Sequence, residues 1–397
     1  MKTYDWIVVG GGITGAALAY ELAKKNFSVL LLEKDATLQG ATRYSYGGLA
    51  YWSGTSDLTR QLCQEGIELH RRLSEELDAD TQFRELDLLL TIDPDDNPQA
   101  VANNYAQFAI PPKLLSVEEA CELEPLLNRN AICASQQRFA IAGALTVRHG
   151  HINPEKTTQG YSQAFRRAGG EIQIAQVVEL LRQGNQIEGV KTQGQTYHAA
   201  NVVVCAGGLS RALLTAAGIP VRLYFTHAEV VEISPVDLQL RTLVMPAQTK
   251  RFELEAKAST TEVDSLWDKP GYEPVPSILD AGATQFLDGR LLLGQVSRVL
   301  TDPYAQIDPQ ESEAAIRTQV GKVLPALEKL PGTWHHCLVA FSSNRLPVIG
   351  ALSNVEGAYV FSGLTTPLVF VPPLAKRFAN WVAGQDDPII SQLSSGS

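Results

Sequence analysis

Tyr4-Asp5-Trp6-Ile7-Val8-Val9-Gly10-Gly11-Gly12-Ile13-Thr14-Gly15 is the stretch whose reading decides the fold. A short apolar run enters a glycine triplet, and an alanine-rich helical stretch from Ala16 to Lys25 follows. Ser28-Val29-Leu30-Leu31-Leu32 then reads as a second strand that ends in Glu33. Strand, glycine turn, helix, strand and terminal acid together form an arrangement that holds a dinucleotide. Gly10 permits the tight turn, Gly12 leaves room for a pyrophosphate, and Gly15 lets the helix pack closely on the sheet. Backbone N–H groups at the helix start, around Ile13 and Thr14, face the phosphates with the favourable end of the dipole. Glu33 can accept hydrogen bonds from ribose hydroxyls. Asn26 stands just past the helix, where a left-handed residue is needed and asparagine tolerates one.

At 397 residues the chain is long for one core, so two domains are expected. Its 45% hydrophobic and 19% charged residues describe an ordinary globular protein. A formal net charge of -10 argues against a nucleic-acid surface and gives no polybasic membrane patch. No run reaches the length of a transmembrane span, and the first apolar run enters the glycine turn instead of a cleavage site. A cytoplasmic location is therefore expected. Cys63, Cys121, Cys133, Cys205 and Cys337 show no CxxC spacing and read as reduced thiols. The histidine pairs His149/His151 and His335/His336 form no HExxH pattern, and no metal site is expected.

Outward from the fingerprint, Gly40-Ala41-Thr42-Arg43-Tyr44-Ser45-Tyr46-Gly47-Gly48-Leu49 combines small residues and hydroxyls that suit close approach to a cofactor. Helices are expected from Ser56 to about Leu77, from Ser116 to Glu124 with Glu119 closing a capping box, and from Asn153-Pro154 to Gly169-Gly170. Asp87 to Ile92 reads as a strand, and Glu171 to Thr192 as two strands joined by Gln183-Gly184-Asn185. Asn201 to Gly208 reads as a central parallel strand that meets a ligand at its C-terminal end. From Pro220 the character changes. Val221 to Ile233, Leu240 to Met245 and Leu291 to Gln295 suggest an antiparallel sheet in a second domain, while Thr249 to Pro276 resists assignment. A helix follows from Pro309 to Val323. Ala358 to Phe361 is a last strand, ended by Gly363, and Leu364-Thr365-Thr366-Pro367 leads to a helix ending near Trp381. The tail after Pro388 is expected to be mobile.

In this order the segments resemble the glycine oxidase, D-amino acid oxidase and sarcosine oxidase family of flavoproteins, over nearly the whole chain. The resemblance implies an α/β plus α+β architecture: a Rossmann-like FAD-binding domain with a substrate domain built on a mainly antiparallel sheet. It divides the chain into FAD-binding segments 1–84, 147–219 and 334–397 and substrate segments 85–146 and 220–333. FAD is the implied cofactor. Its expected contacts are Gly10, Gly12, Ile13, Thr14, Gly15, Glu33, Lys34, Thr42, Arg43, Ser45, Gly47, Gly48, Val177, Ala206, Gly207, Gly208, Cys337, Gly363, Leu364, Thr365 and Thr366. Among these, Val177 would meet the adenine, Gly207 and Gly208 the pyrophosphate, and Gly47 and Gly48 the ring. Cys337 falls where monomeric sarcosine oxidase attaches its flavin through a thioether. The implied reaction removes a hydride from the carbon beside an amine and passes electrons to O2 or another acceptor.

The substrate side departs from that pattern. Val339 stands where glycine oxidase has a carboxylate-binding arginine, and Gly282 where it has a tyrosine. A planar guanidinium fork binds a carboxylate through two hydrogen bonds, which valine cannot. An amine or atypical amino acid is thus the expected small-molecule substrate. Tyr44, Tyr224, His227 and Arg345 are candidates to line the site, with His227 a base near neutral pH. Arg298, Tyr46 and Tyr51 are further local polar groups. Two other readings stay open: a 2-hydroxy-acid dehydrogenase of the same superfamily, and a degenerate FAD-binding relative without turnover. A homo-oligomer is compatible with all three.

Overall fold

The computed structural model describes residues 2–127, 140–364 and 366–394. Cys133 and Thr365 therefore lie outside the described residues. Two sheets organise what is described, one of eight strands and one of nine.

The first sheet grows from the opening fingerprint. Thr3–Val9 pairs in parallel with Val29–Glu33 on one side and with Thr196–Val204 on the other. Glu171–Ile174 extends the sheet beyond Val29–Glu33, and Ala358–Ser362 lies beyond Thr196–Val204, both in parallel. Ile7, Val8, Leu30, Leu31, Leu32 and Val203 are almost wholly buried. Covered on both faces, these strands have no reason to alternate polar and apolar residues. The helix Ile13–Ala23 is buried along nearly its whole length between this sheet and the helices Pro154–Arg167 and Pro367–Val382.

Glu171 to Thr192 holds three strands where two were expected. Glu171–Ile174 joins the parallel sheet, and Val177–Gln183 turns at Gly184 into an antiparallel hairpin with Gln186–Thr192. One polar step at Gln176 separates two strands with different partners, and periodicity alone merges them.

The second sheet runs in the order Thr333–Ser342, Leu223–Ile233, Leu291–Val299, Val275–Gln285, Leu243–Pro246, Arg84–Ile92, Gly143–His151 and Gly48–Leu49. Lys113–Leu115 adds to Gly143–His151. Its pairs are antiparallel except that between Leu243–Pro246 and Arg84–Ile92. Three of the expected segment boundaries, 84/85, 146/147 and 333/334, fall inside strands of this sheet. The stretch Thr249 to Pro276 contains the helices Arg251–Ala258 and Thr261–Asp264 and the start of the Val275–Gln285 strand.

The capped helices match their sequence signals. Ser116 and Glu119 form a reciprocal capping box on Val117–Leu123, and Ser56 caps Asp57–Glu76. Asn26 takes the left-handed conformation at φ 63°. The tail is a correction: Pro388–Ser394 is helical and buries Ile389, Ile390 and Leu393 in the core beside Phe378. Asp387 fixes its start by accepting the Ile389 and Ile390 N–H groups at 2.9 and 3.1 Å.

Candidate active site

The C-terminal ends of three parallel strands converge on one edge. Thr3–Val9 runs into Gly10, Thr196–Val204 into Cys205 to Gly208, and Ala358–Ser362 into Gly363. Ligands of open α/β sheets bind at such an edge. Gly10 has φ +106°, and a Cβ there would sit 2.6 Å from the Cys205 carbonyl oxygen. A Cβ on Gly15 would lie 1.8 Å from the Gly10 oxygen, so no larger residue allows the helix this close.

Around this turn the structure leaves a cradle. The Ile13–Ala23 helix has no capping side chain of its own, although the Ile13 N–H donates to Thr42 Oγ1 at 3.0 Å. A Cβ on Gly12 would meet only Thr42 Oγ1, and one on Gly207 would meet nothing within 4 Å. Glu33 stands beside the turn, accepting the Gly11 N–H at 2.6 Å and the Asp35 N–H at 3.0 Å. Arg43 Nη1 is buried without a protein hydrogen-bond partner. A helix start with open space, an acid at the end of the second strand and an orphaned guanidinium nitrogen fit an extended, anionic dinucleotide.

Thr42 to Gly47 carries this cradle to the second sheet. Arg43 donates to both Glu232 carboxylate oxygens at 2.9 and 3.0 Å, and Arg290 adds a third bond at 3.1 Å. Tyr44 stacks on His335 at 4.6 Å between centroids. The Tyr46 hydroxyl lies 3.4 Å from the Gly282 carbonyl oxygen, and burial drives the phenol's pKa far up. Tyr46 thus brings a phenol to Gly282, where the resemblance implies a tyrosine. At Gly282 itself a Cβ would approach the Val244 oxygen to 2.7 Å.

Strand register separates the remaining candidates. Tyr224, Thr226 and Ala228 pair with Phe341, Val339 and Cys337 on the face that Tyr44 and Tyr46 cover. His227 pairs with Leu338 and projects from the opposite face. There its Nε2 lies 3.0 Å from the Asp302 oxygen, and it stacks on His336. Burial lowers its pKa to about 4, against the hydrogen bond to Asp302. The expected base near neutral pH is a packed imidazole on the face opposite Tyr44 and Tyr46, with its pKa lowered by burial.

Tyr224 is buried against Trp267 and Phe341, and it donates to Asp264 at 2.6 Å. Arg298 lies on the His227 face and donates to Glu229 at 2.7 Å. Arg345, at φ +62°, places its guanidinium 4.6 Å from the Phe252 ring centroid. Cys337 is buried on the Thr226 face, and burial pushes its thiol up to about 12.

Of the other expected contacts, Val177 begins the hairpin strand and is half-buried. Lys34 forms an exposed pair with Asp35. The Ser45 hydroxyl accepts the Gly47 N–H at 3.4 Å, and Gly48 pairs with His151. Ala206 is half-buried, and Gly208 packs against Leu338 and Phe225. Leu364 is buried, and Thr366 precedes the Pro367–Val382 helix without capping it through its side chain.

Sequence reading missed Arg251 and Glu255. They occupy one face of the helix Arg251–Ala258, one turn apart, with Arg251 Nε 3.5 Å from Glu255 Oε1. Thr226 Oγ1 lies 3.4 Å from the same Glu255 oxygen. Glu255 is 3% exposed, and burial raises its pKa although Arg251 opposes the shift. The available signal was the charge spacing in Arg251-Phe252-Glu253-Leu254-Glu255, inside a stretch with too little apolar periodicity to read as a helix.

Together these features define a flavoprotein: a dinucleotide cradle on a parallel sheet, joined by a loop to one face of a mainly antiparallel sheet. The FAD dependent oxidoreductase family model matches residues 5–381, and the chain belongs to that family. Its cofactor is FAD. The 4-methylaminobutanoate oxidase (formaldehyde-forming) of Paenarthrobacter nicotinovorans is 25% identical over 388 residues, covering 95% of this chain and 43% of the relative. The chain thus spans less than half of that protein's length. Among solved structures, glycine oxidase from Geobacillus kaustophilus superposes with a TM-score of 0.79 at 20% identity, covering 98% of this chain and 96% of that one. L-proline dehydrogenase from P. horikoshii gives 0.78 at 19% identity, covering 100% and 97%. At such identities these structures speak for the fold. Among the described residues no helix is long and apolar enough to cross a membrane, and no cluster of metal-ligating side chains occurs.

Proposed function

We propose that the chain oxidises the C–H bond beside the nitrogen of an amine or atypical amino acid. The observation that carries this reading is the junction itself: the loop from Thr42 to Gly47 leads from the dinucleotide cradle onto the Thr226 face of the second sheet. The 4-methylaminobutanoate oxidase and the glycine oxidase among its relatives act in their names on amine-bearing substrates, which supports an amine here. Bound FAD supplies the hydride acceptor.

The chain's own residues position and enclose. Gly10, Gly12, Ile13, Thr14 and Gly15 would cradle the pyrophosphate with Gly207 and Gly208, and Glu33 the ribose. Arg43, tied to Glu232, would set the loop beside the ring, with Gly47 and Gly48 permitting close approach. Leu364 and the start of the Pro367–Val382 helix would close the third side. Tyr44 and Tyr46 pack against Val230, Phe286 and Leu292 and would shield this part of the Thr226 face from water. His227 projects from the face opposite Tyr44 and Tyr46, which supports a reading in which the substrate amine reaches the ring already neutral. We draw the domain boundaries so that the strands 84–92, 143–151 and 333–342 stay whole in the substrate domain. The electron acceptor, a soluble cytoplasmic setting and any homo-oligomer belong to the same proposal.

A screen of amines and N-substituted amino acids against 2-hydroxy acids of matching skeleton, with a dye acceptor, tests the reading. Dye reduction with an amine supports it; reduction with hydroxy acids alone overturns it.

A further inference from the structure

The geometry points to Arg251 as the group that binds a carboxylate of the substrate, from a helix beside the strand position held by Val339. This inference rests on the amine-oxidation reading and adds the substrate's second handle, making the substrate an amino acid and not a simple amine.

Three observations carry it. The first is anchorage. Asp280 accepts the backbone N–H groups of Lys250 and Arg251 at 2.9 and 3.1 Å, which pins the start of the Arg251–Ala258 helix to the Val275–Gln285 strand. The origin of the Arg251 side chain is therefore fixed to the sheet that frames the site.

The second is orientation. The guanidinium lies 5.3 Å from the Phe252 ring centroid and reaches Glu255 through Nε, 3.5 Å from Oε1, and Glu255 is itself buried against Thr226. Among the described residues neither Nη group makes a hydrogen bond, and the side chain keeps 19% of its surface exposed. A guanidinium held through Nε keeps its paired Nη edge open, the edge that grips a carboxylate through two parallel bonds.

The third is placement. Thr226, which Glu255 touches, pairs with Val339, and Cys337 follows on the same face. The Arg251 charge also acts on the Cys337 thiol. The guanidinium thus belongs to the face that Tyr44 and Tyr46 reach from the cofactor loop. It comes from a helix beside the strand position held by Val339. Glu255 balances the charge when no substrate is bound, and Arg345 lies near enough to Glu255 to act on it electrostatically.

The test uses the FAD-loaded protein titrated with propionate and with propionamide, followed by the change in the visible flavin spectrum. Propionate is expected to perturb the spectrum saturably and propionamide not. Arg251→Met should weaken propionate binding about 10- to 100-fold at unchanged FAD content, the range for losing charge-assisted hydrogen bonds. Arg251→Lys, which keeps the charge and loses the fork, should fall between, and it decides the matter if the methionine variant fails to hold FAD. Equal propionate binding by wild type and variant overturns the inference, as does wild-type binding of propionamide as tightly as propionate. Binding is read without turnover, so this result stands apart from the substrate screen.

Discussion

Replacing Glu232 by glutamine tests how the two sheets are coupled. Glu232 sits in the Leu223–Ile233 strand and accepts two bonds from Arg43 of the cofactor loop and one from Arg290. His335 Nε2 lies 3.5 Å from its second oxygen. The three charged partners are largely covered, at 21%, 12% and 10% side-chain exposure for Arg43, Glu232 and Arg290. Glutamine keeps the shape but removes the charge that both guanidiniums face. Hydrogen bonds to charged groups contribute about 1.5–3 kcal/mol each, so after allowance for residual amide bonding the net cost is about 2 kcal/mol. For a chain of this size that lowers Tm by roughly 2–4 °C.

The pH dependence gives a sharper check. Burial alone would raise the Glu232 pKa, but hydrogen bonding and charge from Arg43 and Arg290 outweigh it and leave the carboxyl below 4.5. A depressed folded pKa means stability that is present above the unfolded value and lost as pH falls through the folded one. The gap between wild type and Glu232→Gln in urea midpoint should be full at neutral pH and shrink below about pH 4.5. A gap that is absent at neutral pH, or constant down to about pH 3.5, refutes the reasoning.

Further outcomes follow from the same structure. Gly15→Ala should abolish FAD retention, measured as flavin per chain after gel filtration, because its Cβ would lie 1.8 Å from the Gly10 oxygen. Acid precipitation should leave a colourless pellet and a yellow supernatant: a thiol pushed to about 12 is scarcely ionised near neutrality, which disfavours a thioether at Cys337. A yellow pellet contradicts this. His70 and His227 are both held near 4 by burial, so protonation favours the unfolded chain once pH drops below 6.5. Each should cost about 3 kcal/mol of stability by pH 4. His227→Gln should remove its share of that acid sensitivity while leaving the pH profile of turnover unchanged.

The cofactor half of the molecule was legible because its constraints are local. A glycine at Gly15 and an acid at Glu33 follow from backbone approach and hydrogen bonding within thirty residues; in the substrate half the Ser116–Glu119 cap was legible for the same local reason. The substrate half depends on register between strands far apart in sequence. Whether His227 or Thr226 faces the cofactor turns on a one-residue alternation that hydrophobicity does not mark, since every residue from Leu223 to Val231 is buried. Arg251 and Glu255 were hidden for a related reason. Their helix is short, and its role shows only when Asp280, thirty residues on, ties down its start. The tail after Pro388 looked mobile for want of a periodic pattern, yet three apolar residues suffice to dock one short helix.

The most direct test of the account is anaerobic mixing of the FAD-loaded protein with an N-substituted amino acid and with the 2-hydroxy acid of the same skeleton. The account predicts that the amino acid bleaches the visible flavin band, more slowly when the C–H beside nitrogen carries deuterium. Bleaching by the hydroxy acid alone, or by neither class across a broad panel, contradicts it.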